Sequence, residues 1–161
     1  MIKNNKYKYA SLIGEVLMVT FVIKGIPKVK QRPRFSSRNG KVITYTPKTT
    51  ASFENLVKLK AEKEFKRPLD GAINLAIRFY LPRPQRMIWK TKPMPEAYCD
   101  KRPDIDNLAK AIIDGLNGIA FRDDGQIADL HVTKKYHAGN GESKTIVIVE
   151  NIKEAYQTVV V

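Results

Sequence analysis

Cysteine and histidine are almost absent from this 161-residue chain, which has one cysteine, Cys99, and two histidines, His131 and His137. An intrachain disulfide is therefore impossible, and a zinc site built on thiolates or several imidazoles has too few ligands. Any metal is expected to be a hard ion on oxygen ligands, meaning Mg²⁺ with Mn²⁺ as the substitute. No apolar run approaches the ~20 residues needed to span a bilayer, and no basic amphipathic helix marks a membrane surface. Leu12 to Val22 is interrupted by Gly14, Glu15 and Thr20 and lacks a cleavage-site pattern, so no signal peptide is expected and the cytoplasm is the default. Acids are scarce too: 16 Asp and Glu face 29 Lys and Arg, a net charge of +13. Such a charge works against compactness by self-repulsion and points to a polyanionic partner, with nucleic acid favoured over a membrane.

What is present suits one globular domain. Hydrophobic residues make up 43% and charged residues 28%, and the chain is long enough to bury a core. Residues 1–15 are polar and basic without periodicity and read as a loose tail. Residues 1–17 are accordingly expected to be a flexible extension of a domain spanning 18–161. Val16 to Gly25 is rich in β-branched and apolar residues and predicts a largely buried strand.

From Lys24 to Lys48 there are eight Lys and Arg and no acid. Pro27, Pro33 and the Asn39-Gly40 pair punctuate the stretch, and Asn-Gly signals a tight hairpin. A basic β-ribbon is expected, with Phe35 and Tyr45 among cations that suit phosphates: Lys28, Lys30, Arg32, Arg34, Arg38 and Lys41. Thr49 to Lys66 has apolar residues at Phe53, Leu56, Val57, Ala61 and Phe65, one face of a helix. Ala72 to Leu81 alternates as a strand. Residues 82–103 contain five prolines and are expected to form a long irregular loop. Arg83, Arg86, Trp89, Lys101 and Arg102 are its candidate DNA contacts, with Trp89 either stacking on bases or pinning the loop. Ile127 to Tyr136 and Lys144 to Asn151 read as two strands of an antiparallel hairpin.

The chemistry concentrates between Lys101 and Ile127, which holds five of the 16 acids. An extended Asp104-Ile105-Asp106 would send both carboxylates to one side. A helix from about Asn107 to Asn117 then buries Leu108, Ala111, Ile112, Gly115 and Leu116. At 100° per residue Asp106, Lys110 and Asp114 share the opposite face. Each piece has a plain structural reading as well: acids favour helix starts, and Asp123-Asp124-Gly125 makes a turn. Together, however, acids flanking one helix of a +13 chain would repel phosphate unless a metal neutralised them.

The run PDIDNLAKAIIDGLNG followed by DDGQI resembles the signature of RusA-type Holliday-junction resolvases, with a D-x-D-N-x-x-K run and then a D-D-x-Q element. The upstream PKVKQRPRF and YTPK are similar to the family's N-terminal region. The resemblance covers roughly residues 18–151. It implies an α+β domain in which a mixed or antiparallel sheet packs on about two α-helices. It also implies an endodeoxyribonuclease that nicks four-way junctions symmetrically as a homodimer, leaving 5′-phosphate ends during recombination and repair. By the same resemblance Asp104, Asp106 and Asp124 bind Mg²⁺ and Lys110 is the essential lysine. Asp123 is the less critical acid of its pair, and it stands with Asn107 as a supporting residue. A non-catalytic junction or single-strand binder and a flap or non-specific nuclease are the rival readings.

Overall fold

β-Branched and apolar residues between Gly14 and Lys24 form strand β2 in the computed structural model, which describes residues 8–11, 14–30, 34–38, 41–45 and 48–152, with side chains for 17–30 and 51–152. The strand is not largely buried. Phe21 and Ile23 point into the core while Thr20, Val22 and Lys24 are exposed, because the helices cover only one face of the sheet. Ahead of it, β1 (Lys8–Ser11) pairs antiparallel with the start of β2, so part of the expected loose tail is paired backbone. Strands β3 (Arg34–Arg38) and β4 (Lys41–Tyr45) form the expected hairpin around Asn-Gly, as a two-stranded sheet apart from the main one.

Helix α1 (Lys48–Glu64) buries Phe53, Val57 and Ala61, and Phe65 is buried just beyond its end. Strand β5 (Ala72–Leu81) buries every second residue, Ile73 through Leu81. The proline-rich segment after it is less irregular than expected: a 3₁₀ turn at Gln85–Met87 and a short strand, β6 (Ala97–Tyr98), fit between its prolines. Helix α2 (Ile105–Leu116) and strands β7 (Ile127–Tyr136) and β8 (Lys144–Ile152) complete the domain.

These elements make a single α+β domain. The six-stranded mixed sheet has the order β1-β2-β8-β5-β7-β6, with both helices on one face. The expected β7–β8 hairpin does not form. β5 lies between the two, antiparallel to β8 and parallel to β7. The fully apolar inner face of β5 belongs at the centre of the sheet, and a parallel β5–β7 pair requires a crossover, which α2 supplies. β6 covers only Lys135 and Tyr136 of β7. From Ala128 to Thr133 the outer edge of β7 has no strand beside it among the described residues. Among those residues, too, no helix is long and apolar enough to cross a membrane.

The two helices touch at Gly115. A Cβ there would stand 2.7 Å from Val57 Cβ, too close for any relaxed packing. Gly115→Ala should therefore destabilise the domain by about 1–3 kcal/mol, although alanine favours helix by up to ~1 kcal/mol. Urea denaturation of the variant checks this, and an unchanged or raised midpoint would refute the close crossing.

Candidate active site

Helix α2 separates packing from chemistry. Leu108, Ala109, Ala111, Ile112, Gly115 and Leu116 are buried, leaving Asp106, Lys110 and Asp114 on the outer side. The helix begins two residues earlier than its apolar periodicity predicts. Asp104 is the extended N-cap, and Asp106 already lies in the first turn. The two carboxylates therefore reach a common end of α2 through the helix start, and not through strand alternation. That start suits negative charge because its first N–H groups lack intrahelical partners. Asp104 does not cap the helix with its side chain. Lys110 pairs with Asp114 at 3.8 Å, and so Asp106 gains no i,i+4 partner. Asp104 and Asp106 are both exposed, with no ion pair or side-chain hydrogen bond among the described residues.

The second acidic element is a 3₁₀ turn, Asp124–Gln126, built by its neighbours. Asp123 Oδ1 accepts from the Gly125 amide at 2.8 Å. Gln126 Oε1 accepts from the amides of Arg122 (2.7 Å) and Asp123 (3.2 Å). Its Nε2 donates to the carbonyls of Leu69 (3.1 Å) and Gly71 (2.9 Å). Asp123 and Gln126 are thus scaffold, and Asp124 is left exposed, with no side-chain partner among the described residues. Gln126 had no assigned role in the sequence reading beyond its place in the motif.

The chain separates these two elements. Lys134, near the end of β7, donates to the carbonyls of Lys101 and Pro103 just before α2. The turn at Asp124 is tied instead to Leu69–Gly71, where β5 begins. α2 runs between the two ends, a span of about 18 Å at ~1.5 Å per residue. Asp104 and Asp106 therefore stand at one end of the helix and Asp124 beyond the other. Among the described residues no three His, Cys, Asp or Glu side chains are grouped to hold a metal within one chain.

The candidate DNA contacts divide likewise. Lys28, Arg86, Trp89, Lys101 and Arg102 are exposed, Trp89 by 52%. Trp89 is therefore not buried against the domain as a pin. Arg32 lies outside the described residues, and Arg34, Arg38 and Lys41 are placed by backbone alone on the β3–β4 ribbon. Arg83 is not a free cation. Its guanidinium donates to the Pro95 carbonyl and lies 5.6 Å from the Tyr136 ring centre, bracing the loop. Lys30 also corrects the sequence reading. Its ammonium is held at 2.6 Å from Glu54 and 2.9 Å from Asp114, and its amide donates to the Asn107 carbonyl. Burial pulls its pKa down, but the hydrogen bonds and charges of Glu54 and Asp114 prevail and leave it above the ordinary lysine value. Asp114, which the sequence left without a role, thus ties the base of the ribbon to α2.

A family description of known proteins, endodeoxyribonuclease RusA, matches residues 24–150, from the end of β2 through β8. The chain belongs to the RusA endodeoxyribonuclease family. It is also similar to the uncharacterized protein YqaN of Bacillus subtilis (strain 168), with 32% identity over 126 residues, 73% of this chain and 87% of that relative. Family membership makes the chain a DNA-cutting hydrolase. The acids and Lys110 around α2, inside the matched span, are the groups suited to that chemistry.

Lys30 is a strut between α1, α2 and the segment that leads into the ribbon, with its ammonium turned onto two carboxylates. Lys30→Met leaves Glu54 and Asp114 facing each other and should cost about 1–3 kcal/mol. The slope of log binding constant against log salt for DNA should stay as in wild type. Because the folded pKa of Lys30 is raised, its contribution persists below pH 10.5 and is lost only as pH rises past it. Thermal denaturation and a salt titration check both parts, and a slope reduced by about one would return Lys30 to the DNA surface.

Proposed function

We propose that the protein is a Mg²⁺-dependent resolvase that cuts four-way DNA junctions by paired symmetric nicks, acting as a homodimer and leaving 5′-phosphate ends. One observation carries this reading. Asp114 and Asp123 are bonded within the fold, whereas Asp104, Asp106 and Asp124 are exposed carboxylates without partners among the described residues. Three free hard-oxygen donors fit Mg²⁺ or Mn²⁺. When bound, the ion supplies a water of lowered pKa and polarises the scissile phosphate. Asp104 and Asp106 present their oxygens at the start of α2. Lys110, one turn on along the same helix face, rests 3.8 Å from Asp114 and would turn its ammonium to neutralise charge building on the phosphate. The ribbon cations with Lys28, and the loop cations Arg86, Lys101 and Arg102, hold the DNA backbone. Trp89 offers a ring on which an unpaired base stacks.

The homodimer reading rests on chain topology. A second chain pairing antiparallel along the open edge of β7, with its two-fold axis near Leu130, sets the partner's Asp124 close to the start of α2. Leu130 is 46% exposed on that edge, an apolar residue suited to such a contact. Each site then takes Asp104, Asp106 and Lys110 from one protomer and the partner's Asp124. A two-fold axis supplies two such sites, which paired incision of opposed strands needs.

The primary test is cleavage of a synthetic four-way junction with Mg²⁺ titrated. Asp106→Asn should abolish cleavage while junction binding persists or tightens, since negative charge is lost. Wild-type cleavage by the variant, or full activity in excess EDTA, would sink the metal site. Comparable rates on junction, flap and plain duplex would reject the resolvase assignment.

Mixing two inactive variants tests site composition. In a heterodimer of Asp106→Asn with Asp124→Asn, a shared architecture leaves one site wholly native and the other doubly mutated. Mixing should then restore single-strand nicking without paired incision. No recovery in mixed dimers of demonstrated subunit exchange would place each complete site within one chain.

A further inference from the structure

We infer that Lys134 is the positioning residue that sets Asp104 and Asp106 for metal binding, an inference that rests on the metal-site reading above. Lys134 pairs in register with Phe79, a wholly buried residue of β5, so strand alternation turns it toward the face that carries the helices. Its half-buried ammonium donates to the Lys101 carbonyl at 2.6 Å and to the Pro103 carbonyl at 2.6 Å. Its own carbonyl accepts from the Cys99 amide at 3.0 Å, and Cys99 Sγ donates to the Lys101 carbonyl at 3.5 Å. One residue of β7 thus grips the segment 99–103 at three points.

That grip ends one residue before Asp104. Fixing the Pro103 carbonyl fixes the peptide plane into Asp104, and with it the direction from which the first carboxylate leaves the chain. The first turn beyond it is held separately, by the Leu108 amide on the Asp104 carbonyl at 3.1 Å and the Lys30 amide on the Asn107 carbonyl at 3.0 Å. Asp104 makes no capping bond, and neither it nor Asp106 has an ion-pair partner. Their spacing depends on backbone position alone, and charge-assisted hydrogen bonds from an ammonium are the strongest available means of holding carbonyls. The alternative role, a lysine that contacts phosphate, conflicts with an ammonium turned inward onto two carbonyls.

Three measurements on Lys134→Met and Lys134→Arg test this. The first is amide hydrogen exchange without metal. Exchange at Cys99 and Leu108, whose amides donate to the carbonyls of Lys134 and Asp104, should quicken in Lys134→Met and recover in Lys134→Arg, whose guanidinium keeps several donors. This readout holds whether or not the wild type binds metal. Unchanged exchange would overturn the clamp on its own. The second is calorimetric Mn²⁺ binding by the dimer without DNA, expected to weaken at least about tenfold in Lys134→Met, as for other groups that orient metal ligands. Wild-type Mn²⁺ affinity in that variant, with exchange quickened, would overturn the link to the carboxylates. Absence of Mn²⁺ binding by the wild type would instead sink the metal-site reading itself. The third is the salt slope of junction binding in EDTA, which should match wild type. A slope reduced by about one would make Lys134 a phosphate contact and refute the positioning role.

Discussion

The buried stripe of α2 is the constraint on which the candidate site depends. Leu108, Ala111, Ile112 and Leu116 are wholly buried, and Gly115 lets α1 approach to van der Waals contact. Each buried leucine or isoleucine contributes roughly 1.5–3 kcal/mol, so turning the helix by one residue would forfeit much of the domain's margin of stability. A helix locked on one face has its other face fixed without further contacts. Asp106, Lys110 and Asp114 can therefore remain solvent-facing and still be held in direction. The core supplies the rotation, and the segment before Asp104 supplies the position of the helix start.

Charge is sorted by backbone context, and residue type alone does not set its use. Asp114 binds Lys30 and Asp123 closes a turn, while Asp104, Asp106 and Asp124 have no partner among the described residues. Lysines divide the same way. Lys30 and Lys134 work inward, on carboxylates and carbonyls respectively, whereas Lys28 and Lys101 remain at the surface. The +13 balance therefore overstates the charge offered to DNA. Lys30 and Lys134 are committed to partners inside the fold, so neither is available to neutralise the three exposed acids.

Much of this was legible from residues alone, for identifiable reasons. The period of α2 exposed both its apolar and its charged face, and the Asn39-Gly40 pair announced the ribbon. Alternation located β5, β7 and β8 to within a residue or so. Pairing was not legible. β7 and β8 are neighbours in sequence with a turn-like link, and nothing local reveals that β5 inserts between them. The start of α2 was missed because Ile105 and Asp106 precede the apolar repeat. Lys30 and Arg83 looked like surface cations, since sequence carries no sign of which carboxylate, carbonyl or ring will lie opposite them. Lys134 was hidden by the same blindness, one lysine among several in a strand.

Lys134 also marks where two features of β7 meet. Below it, from Ala128 to Thr133, the strand edge has no strand beside it among the described residues; from Lys134 onward the edge is taken by Cys99 and β6. An open edge is a liability in any sheet unless something covers it. A partner strand laid on this one can extend only as far as the segment 99–103 allows, and that segment leads into Asp104. In the proposed dimer, the partner's chain would thus end its pairing beside the loop that Lys134 holds, with the partner's Asp124 just ahead of its first paired residue. Closing the edge and completing the acidic site then become one event. A monomer with a half-formed site would hold only Asp104 and Asp106 at that end of α2, too few ligands for a tightly bound hard ion, so cutting would be confined to the assembly able to engage both strands.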